Sequence, residues 1–175
     1  MNINEIKPEQ LGDFPGCMLT YTGKLIDLFN TSVDDICIED IAHGLANTCR
    51  WNGHTNQFFS VAQHCCMMAD MATENQLAYL LHDAEEAYWG DIIKPLKAIL
   101  AKACPDILQH MDATRNIVYK KFGVFPADYK ELDEVCLHYE FECAVKTSSH
   151  AAWSPEIAEQ AFLSRFKQIY LHEQY

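Results

Sequence analysis

Positive charge is scarce in this chain: 13 Lys and Arg stand against 25 Asp and Glu, a formal net charge of -12. Binding to long nucleic acid rests on neutralising many phosphates with Lys and Arg, so that class of partner is not expected. A small anionic ligand is compatible with the balance, because a metal ion and two or three local cations can hold a nucleotide inside an acidic protein. No run of about 18 apolar residues occurs, which a spanning helix would require, so no membrane partner is expected either. The first residues, Met1-Asn2-Ile3-Asn4-Glu5, lack the basic-then-apolar pattern of a signal peptide, and a cytoplasmic location is the default. Eight cysteines are present, yet none form a C-x-x-C pair. Dispersed as they are, mostly in apolar helical contexts, they read as reduced, buried small hydrophobes rather than as a thiolate zinc site. Glycine and proline are few, at 7 and 6, and 49% of the residues are hydrophobic, which describes an ordered globular chain rather than a disordered one. Internal repeats, low-complexity tracts and linkers are also lacking, so residues 1–175 read as a single domain.

What the chain does contain is one stretch with a conflict built into it, Leu80-Leu81-His82-Asp83-Ala84-Glu85-Glu86-Ala87-Tyr88-Trp89-Gly90-Asp91. Leu77, Leu80, Leu81, Ala84 and Ala87 recur at helical spacing, which predicts an amphipathic helix that Gly90 helps to end. On such a helix His82 and Glu86 lie one turn apart, and Asp83 and Glu86 are neighbours at i, i+3. A carboxylate taken out of water needs a pairing charge or a cation, so ligand-type side chains beside Leu80 and Leu81 imply a partner. The competing reading turns the second half of the helix to solvent and leaves Glu85 and Glu86 hydrated. A metal would need further ligands from elsewhere in the chain.

The rest of the chain reads mainly as helices. Residues Met18 to Phe29 are β-prone around Thr22-Gly23-Lys24 and predict a short hairpin. A helix follows Asp34 and Asp35, carries Ile38 to Ala46 and is expected to stop near Gly53. Ser60 caps another, whose buried face holds Val61, His64, Cys65, Met68 and Ala69. Thr73-Glu74-Asn75-Gln76 has the pattern of a capping box for the helix bearing His82-Asp83. After it, Asp91 to Lys97 reads as a turn or short helical piece. Further helices are expected from Pro105 to Phe122, stopped by Gly123, from Pro126 to Val145, and from Ser154-Pro155-Glu156 onward. The fold class is therefore all-α, a compact helical bundle with a short N-terminal β-hairpin.

Chemistry-bearing candidates lie on several of these elements. Arg50 beside Trp51 offers a cation for phosphate and a ring for a base or pocket wall, against the reading of a helix-end Arg with a core Trp. His64 is a ligand or a satisfied core histidine. Asp91 and Lys94 offer an acid/base group and a phosphate-binding cation, or else a surface ion pair. Asp133, flanked by Leu132 and Val135, can point inward as a final carboxylate.

The ordered set His64, His82-Asp83 and Asp133 resembles the H…HD…D metal signature of the HD-domain metal-dependent phosphohydrolases. With Arg50-Trp51, Ser60-Val61-Ala62-Gln63-His64, Glu86 and Asp91 in matching order, residues 38–140 look like the compact nucleotide phosphohydrolases of that superfamily, including 5′-deoxynucleotidases and phage-type dATP triphosphohydrolases. The resemblance implies an all-α core with His64, His82, Asp83 and Asp133 as ligands of one or two divalent ions. Such N/O sites suit Mn²⁺, Co²⁺, Fe²⁺, Zn²⁺ or Mg²⁺. It also implies that Glu86 binds or orients the attacking water, that Asp91 handles a proton, that Arg50 and Lys94 contact phosphate, and that Trp51 helps form the base or sugar pocket. His43 falls outside the pattern and reads as structural, and His54 either contacts phosphate or caps local backbone. The small size favours a compact enzyme completed by oligomerisation.

The function expected from this resemblance is removal of phosphate or triphosphate from a purine deoxynucleotide such as dAMP or dATP, by attack of metal-activated water on phosphorus. A nucleotide-binding or signalling module without turnover is the alternative from another class. Hydrolysis of cyclic nucleotides or (p)ppGpp is a third reading, because one scaffold supports several phosphoester reactions.

Overall fold

A computed structural model describes residues 15–147 and 152–173; the signal-peptide reading of Met1 to Glu5 lies outside them. The described chain is predominantly helical, as expected, and begins with an antiparallel hairpin of β1 (Cys17–Leu19) and β2 (Leu25–Asp27), with Met18 opposite Ile26. Its turn closes through Gly23 N donating to Thr20 O, with Gly23 at φ 90°. Asp40 anchors that turn to the bundle, accepting from Thr22 N at 2.7 Å and from Thr22 Oγ1 at 2.9 Å. No helix of the described residues is long and apolar enough to cross a membrane.

Eight α-helices follow among the described residues: α1 (Ile38–Asn47), α2 (Val61–Met71), α3 (Gln76–Leu80), α4 (Glu86–Trp89), α5 (Lys94–Ala103), α6 (Pro105–Phe122), α7 (Lys130–Glu140) and α8 (Pro155–Glu173). The centre of the bundle is α2, which packs against α1, α3, α7 and α8, while α1 also lies along α4 and α8. Their shared core includes Ile41, Leu45, Val61, Cys65, Leu80, Leu81 and Phe162. At the α1–α4 crossing only a glycine fits. A Cβ on Gly44 would lie 2.8 Å from the Ala87 carbonyl oxygen and 2.9 Å from its Cβ.

Several boundaries differ from those read in the sequence, each for a local reason. The first helix ends at Asn47 rather than near Gly53, where the Thr48 amide and hydroxyl both donate to Gly44 O. The chain then makes a tight 3₁₀ turn over Arg50–Gly53 with Trp51 and Asn52 at φ 57° and 50°. The expected capping box does not form. Gln76 sends its amide back to Ala69 O and Ala72 O at the end of α2, and Asn75 at φ 52° begins α3 without a side-chain cap. Lys94 opens a ten-residue helix, with Pro95 in its first turn, where a turn or short piece was expected. α7 starts at Lys130 rather than Pro126 and widens into a π-turn at Phe141–Thr147, whose Ala144 and Val145 carbonyls accept from Asn56. Ser60 caps α2 by accepting from Gln63 N, and Gly123 ends α6 at φ 68°, both as read in the sequence.

The largest departure is at His82-Asp83. The expected continuous helix is broken into α3 and α4 by a run of turns over 81–85, held by i→i+3 bonds such as Glu86 N to Asp83 O at 3.0 Å. The Tyr79 carbonyl, which a continuous helix would give to the Asp83 amide, accepts instead from His82 Nδ1 at 2.7 Å. A side chain has taken a backbone acceptor, the usual way local polar groups interrupt a helix.

Candidate metal centre

Three elements bring the ligand-type atoms together: α2 supplies His64, the turn between α3 and α4 supplies His82 and Asp83, and α7 supplies Asp133. His64 and His82 are fully buried, so neither is a solvated surface group. His82 Nε2 lies 3.1 Å from Asp83 Oδ2, His64 Nε2 lies 3.7 Å from the same oxygen, and the two Nε2 atoms are 3.2 Å apart. Among the described residues, one set of ligand-type atoms converges within 4.8 Å, that of His64, His82 and Asp83. Asp133 does not join that set, but its Oδ1 reaches His64 Nε2 at 3.5 Å.

The tautomers follow from the outer partners. Tyr79 O can only accept, so His82 carries its proton on Nδ1. Glu140, fully buried, accepts from His64 Nδ1 at 2.7 Å. Although burial works against its ionisation, the His64 hydrogen bond and the Arg50 charge hold the Glu140 carboxyl below its usual range. His64, pushed toward its neutral form, therefore presents Nε2 as a lone pair. A lone pair on His82 Nε2, 3.2 Å away and facing the same carboxylate oxygen, would repel it, so that position calls for positive charge, either a proton favoured by Asp83 or a cation in its place. Donor pairs on a metal with bonds of about 2.0–2.2 Å are separated by about 3.0–3.5 Å, close to the distances found here. The donor chemistry and spacing therefore fit a divalent cation on two imidazoles and a carboxylate, with Asp133 beside them.

The local charges follow the same logic. Burial opposes ionisation of Asp83, but His82, His64 and Arg50 outweigh it and hold its carboxyl far below the usual range. Burial and the nearby Arg50 charge push the His64 imidazole down. For His82 burial acts downward, yet Asp83 raises the net value.

This group opens onto a cavity of about 300 Å³. Its lining contains every other site residue read in the sequence: Arg50, Trp51, Glu86, Asp91, Lys94 and Asp133. Arg50 is buried, with Nε on Glu140 Oε2 at 2.9 Å and Nη1 3.7 Å from Asp83 Oδ2. Trp51 donates Nε1–H to the same Glu140 oxygen at 3.1 Å. Glu86 is 2% exposed, and its Oε2 has no hydrogen-bond partner among the described residues. Burial, then the Asp83 and Asp91 charges, push its carboxyl well above the ordinary value. Burial likewise raises Asp91 despite Arg50. Apolar wall is supplied by Ile92, Ile93, Pro95 and Leu137.

The reading of Glu85 and Glu86 as hydrated fails, since both are about 2% exposed. His43 stacks on Tyr21 at 3.8 Å and pairs with Glu159 at 3.0 Å, apart from the metal group, in keeping with a structural role. His54 is exposed beyond the turn that holds Trp51. Two participants were not read as site residues. Glu140 lies seven residues after Asp133, two turns along the same helix face, a periodicity visible in the sequence. Lys97, one turn beyond Lys94, reaches Glu86 Oε1 at 3.4 Å.

An all-α bundle with a buried His-His-Asp group at the end of a mixed-charge cavity is the class that the fold and site define. No protein-family model matches the chain. Over 109 residues it is 38% identical to uncharacterized protein YfdR of Escherichia coli (strain K12), an alignment covering 61% of this chain and 58% of YfdR. It is also 38% identical over 119 residues to an uncharacterized protein of Rhodobacter capsulatus, covering 62% of this chain and 61% of that relative. The chain thus spans about three fifths of the length of these curated relatives.

Proposed function

We propose that this chain is a metal-dependent phosphohydrolase of the HD-domain type, acting in the cytoplasm on a purine deoxynucleotide such as dATP or dAMP. The observation that carries the reading is the meeting of His64 Nε2, His82 Nε2 and Asp83 Oδ2 at a cavity lined by Arg50, Lys94 and Lys97. Lone pairs for a cation and cations for an anion share one opening. His64, His82 and Asp83 would hold the metal, with Asp133 completing the set. A divalent ion bound there supplies Lewis acidity, activating water and shielding phosphate charge.

The protein's own groups do the remaining work. Arg50 is anchored through Nε, which leaves its Nη atoms for phosphate oxygens, and the lysines at the start of α5 add charge. Trp51 with Ile92, Ile93 and Pro95 forms an apolar wall suited to a base or sugar. Glu86 and Asp91, both held above their ordinary values by burial, face the cavity and suit proton transfer: Glu86 to orient a water and take its proton, Asp91 to deliver a proton to the leaving oxygen. A triphosphate tail asks for more cations than a monophosphate, and Lys94 and Lys97 both join Arg50 in the lining. The reading therefore keeps both substrates.

The deciding experiment incubates metal-stripped protein with dATP and dAMP separately, adding Co²⁺, Mn²⁺, Zn²⁺ or Mg²⁺, and resolves the products. Deoxyadenosine with triphosphate identifies a triphosphohydrolase, and deoxyadenosine with phosphate from dAMP identifies a 5′-nucleotidase. A Glu86→Gln variant should keep its bound metal and lose about 100-fold or more in kcat, the usual worth of a positioned acid or base. Saturable nucleotide binding without turnover in the wild type would replace the enzyme reading with that of a binding module.

A further inference from the structure

One buried carboxylate is shared by the two halves of the site. Glu140 Oε1 accepts from His64 Nδ1 at 2.7 Å, and Glu140 Oε2 accepts from both Arg50 Nε at 2.9 Å and Trp51 Nε1 at 3.1 Å. We propose that Glu140 is a positioning residue that fixes metal ligand and substrate wall together, through His64 on one oxygen and Arg50 with Trp51 on the other. The inference rests on the metal and phosphate reading above.

Each of the three bonds has its own consequence. On the metal side, the bond fixes the His64 tautomer and ring orientation, so that Nε2 faces His82 and Asp83. A histidine free to flip would offer its ligand atom only part of the time. On the substrate side, Nε is one corner of the guanidinium fork, and tying it down orients both Nη groups. A lysine carries its three donors on a single nitrogen, so it has no separate donor atom by which to be tied down while another faces a phosphate.

Trp51 carries the third consequence. Its φ of 57° is a left-handed conformation that disfavours a residue with a Cβ, and Asn52 shares it. The indole bond to Glu140 and the Phe141 ring at 5.8 Å hold the side chain against this local preference, beside the cavity. An ion pair serving stability alone would need Arg50 and Glu140 and no more. The donors from His64 and Trp51 bring a ligand and a pocket wall onto the same group, and α7 also delivers Asp133 and Leu137 on that face.

The test compares wild type with Glu140→Gln, which keeps the shape but places an NH₂ donor against at least one of the three donors. Co²⁺ is titrated into metal-stripped protein by its visible absorption, and inorganic phosphate is then titrated into the Co²⁺-saturated protein. The expected result is about 10- to 100-fold weaker Co²⁺ binding, the usual effect of losing a carboxylate behind a ligating histidine. Phosphate binding at saturating Co²⁺ should also weaken, while the metal-free variant keeps its helical circular dichroism. A folded Gln variant with wild-type affinity for Co²⁺ would overturn the role of Glu140 and leave the metal reading intact. Wild type that binds no Co²⁺ would overturn the metal reading and this inference with it. Should the Gln variant fail to fold, ¹⁵N ring spectra of zinc-loaded wild type decide: a proton on His64 Nδ1 supports the proposal, and one on Nε2 defeats it.

Discussion

Glu85 and Glu86 are adjacent in sequence, are both buried, and have opposite surroundings. Glu86 lines the cavity, where its Oε1 meets the half-exposed Lys97 at 3.4 Å. Glu85 turns away and pairs with Arg115 at 2.9 Å, where burial and then the Asp83 charge push its carboxyl up to about 7. Removing one member of a buried ion pair strands the other, whereas replacing both with apolar groups is far milder. Arg115→Met should therefore destabilise the protein by about 2–4 kcal/mol, the lower end reflecting that the guanidinium is partly exposed. Glu85→Leu combined with Arg115→Met should recover at least half of that loss. Urea unfolding of the two variants checks this, and a double variant no more stable than the single one would show that the pair is not an isolated unit. Contrast at this scale was not legible in the sequence. Helical spacing grouped Glu86 with His82 and Asp83, but nothing near Glu85 announces its partner Arg115, thirty residues on.

Helices were legible wherever their ends carry local chemistry. Ser60 at the start of α2, Ser154-Pro155 before α8 and Gly123 after α6 each act within a few residues, so the sequence contains the whole cause. Two boundaries moved through equally local bonds that compete with the patterns read in the sequence, Thr48 onto Gly44 and Gln76 onto Ala69 and Ala72, whereas the π-turn after α7 receives the distant Asn56. His64, His82 and Asp83, which converge, were picked out together with Asp133 for a different reason, that the order and types of these residues resemble a family signature. Glu140 sits outside that signature and is defined only by contacts across about 75 to 90 residues of chain. Gly44 belongs with the distant causes, because its need for a bare Cα comes from Ala87 on α4. Gly44→Ala forces contacts below 3 Å against backbone and should cost about 1–3 kcal/mol in urea unfolding. Since α4 begins with Glu86, any displacement that relieves the clash moves that carboxylate, and turnover should fall by more than metal affinity does. Unchanged stability would mean that α1 and α4 can separate freely at this crossing.

The molecule as a whole concentrates negative charge, and part of that charge surrounds the cavity. Asp83, Glu86, Asp91 and Asp133 line it against Arg50, Lys94 and Lys97, with two imidazoles behind. On the proposed metal reading, a divalent ion held by the His64, His82 and Asp83 group would relieve this repulsion in the folded chain, and the unfolded chain would have no such group to offer. Binding that favours the native state alone raises stability by RT ln(1 + [L]/Kd), about 2.7 kcal/mol at 100 times Kd. For a chain of this length that corresponds to a rise in Tm of about 5–10 °C. Calorimetry of metal-stripped protein with and without Co²⁺ should show the rise, and a chelator should reverse it. Asp83→Asn tests whether the ion sits where the geometry puts it. Losing the carboxylate removes a ligand and also the partner of His82, His64 and Arg50, so the metal-free variant should melt below the metal-free wild type and gain little from Co²⁺. A variant that gained as much as wild type would put the stabilising ion elsewhere among the acidic residues. Without that ion, the convergence at Asp83 would be balanced by the Arg50 guanidinium and a proton on an imidazole.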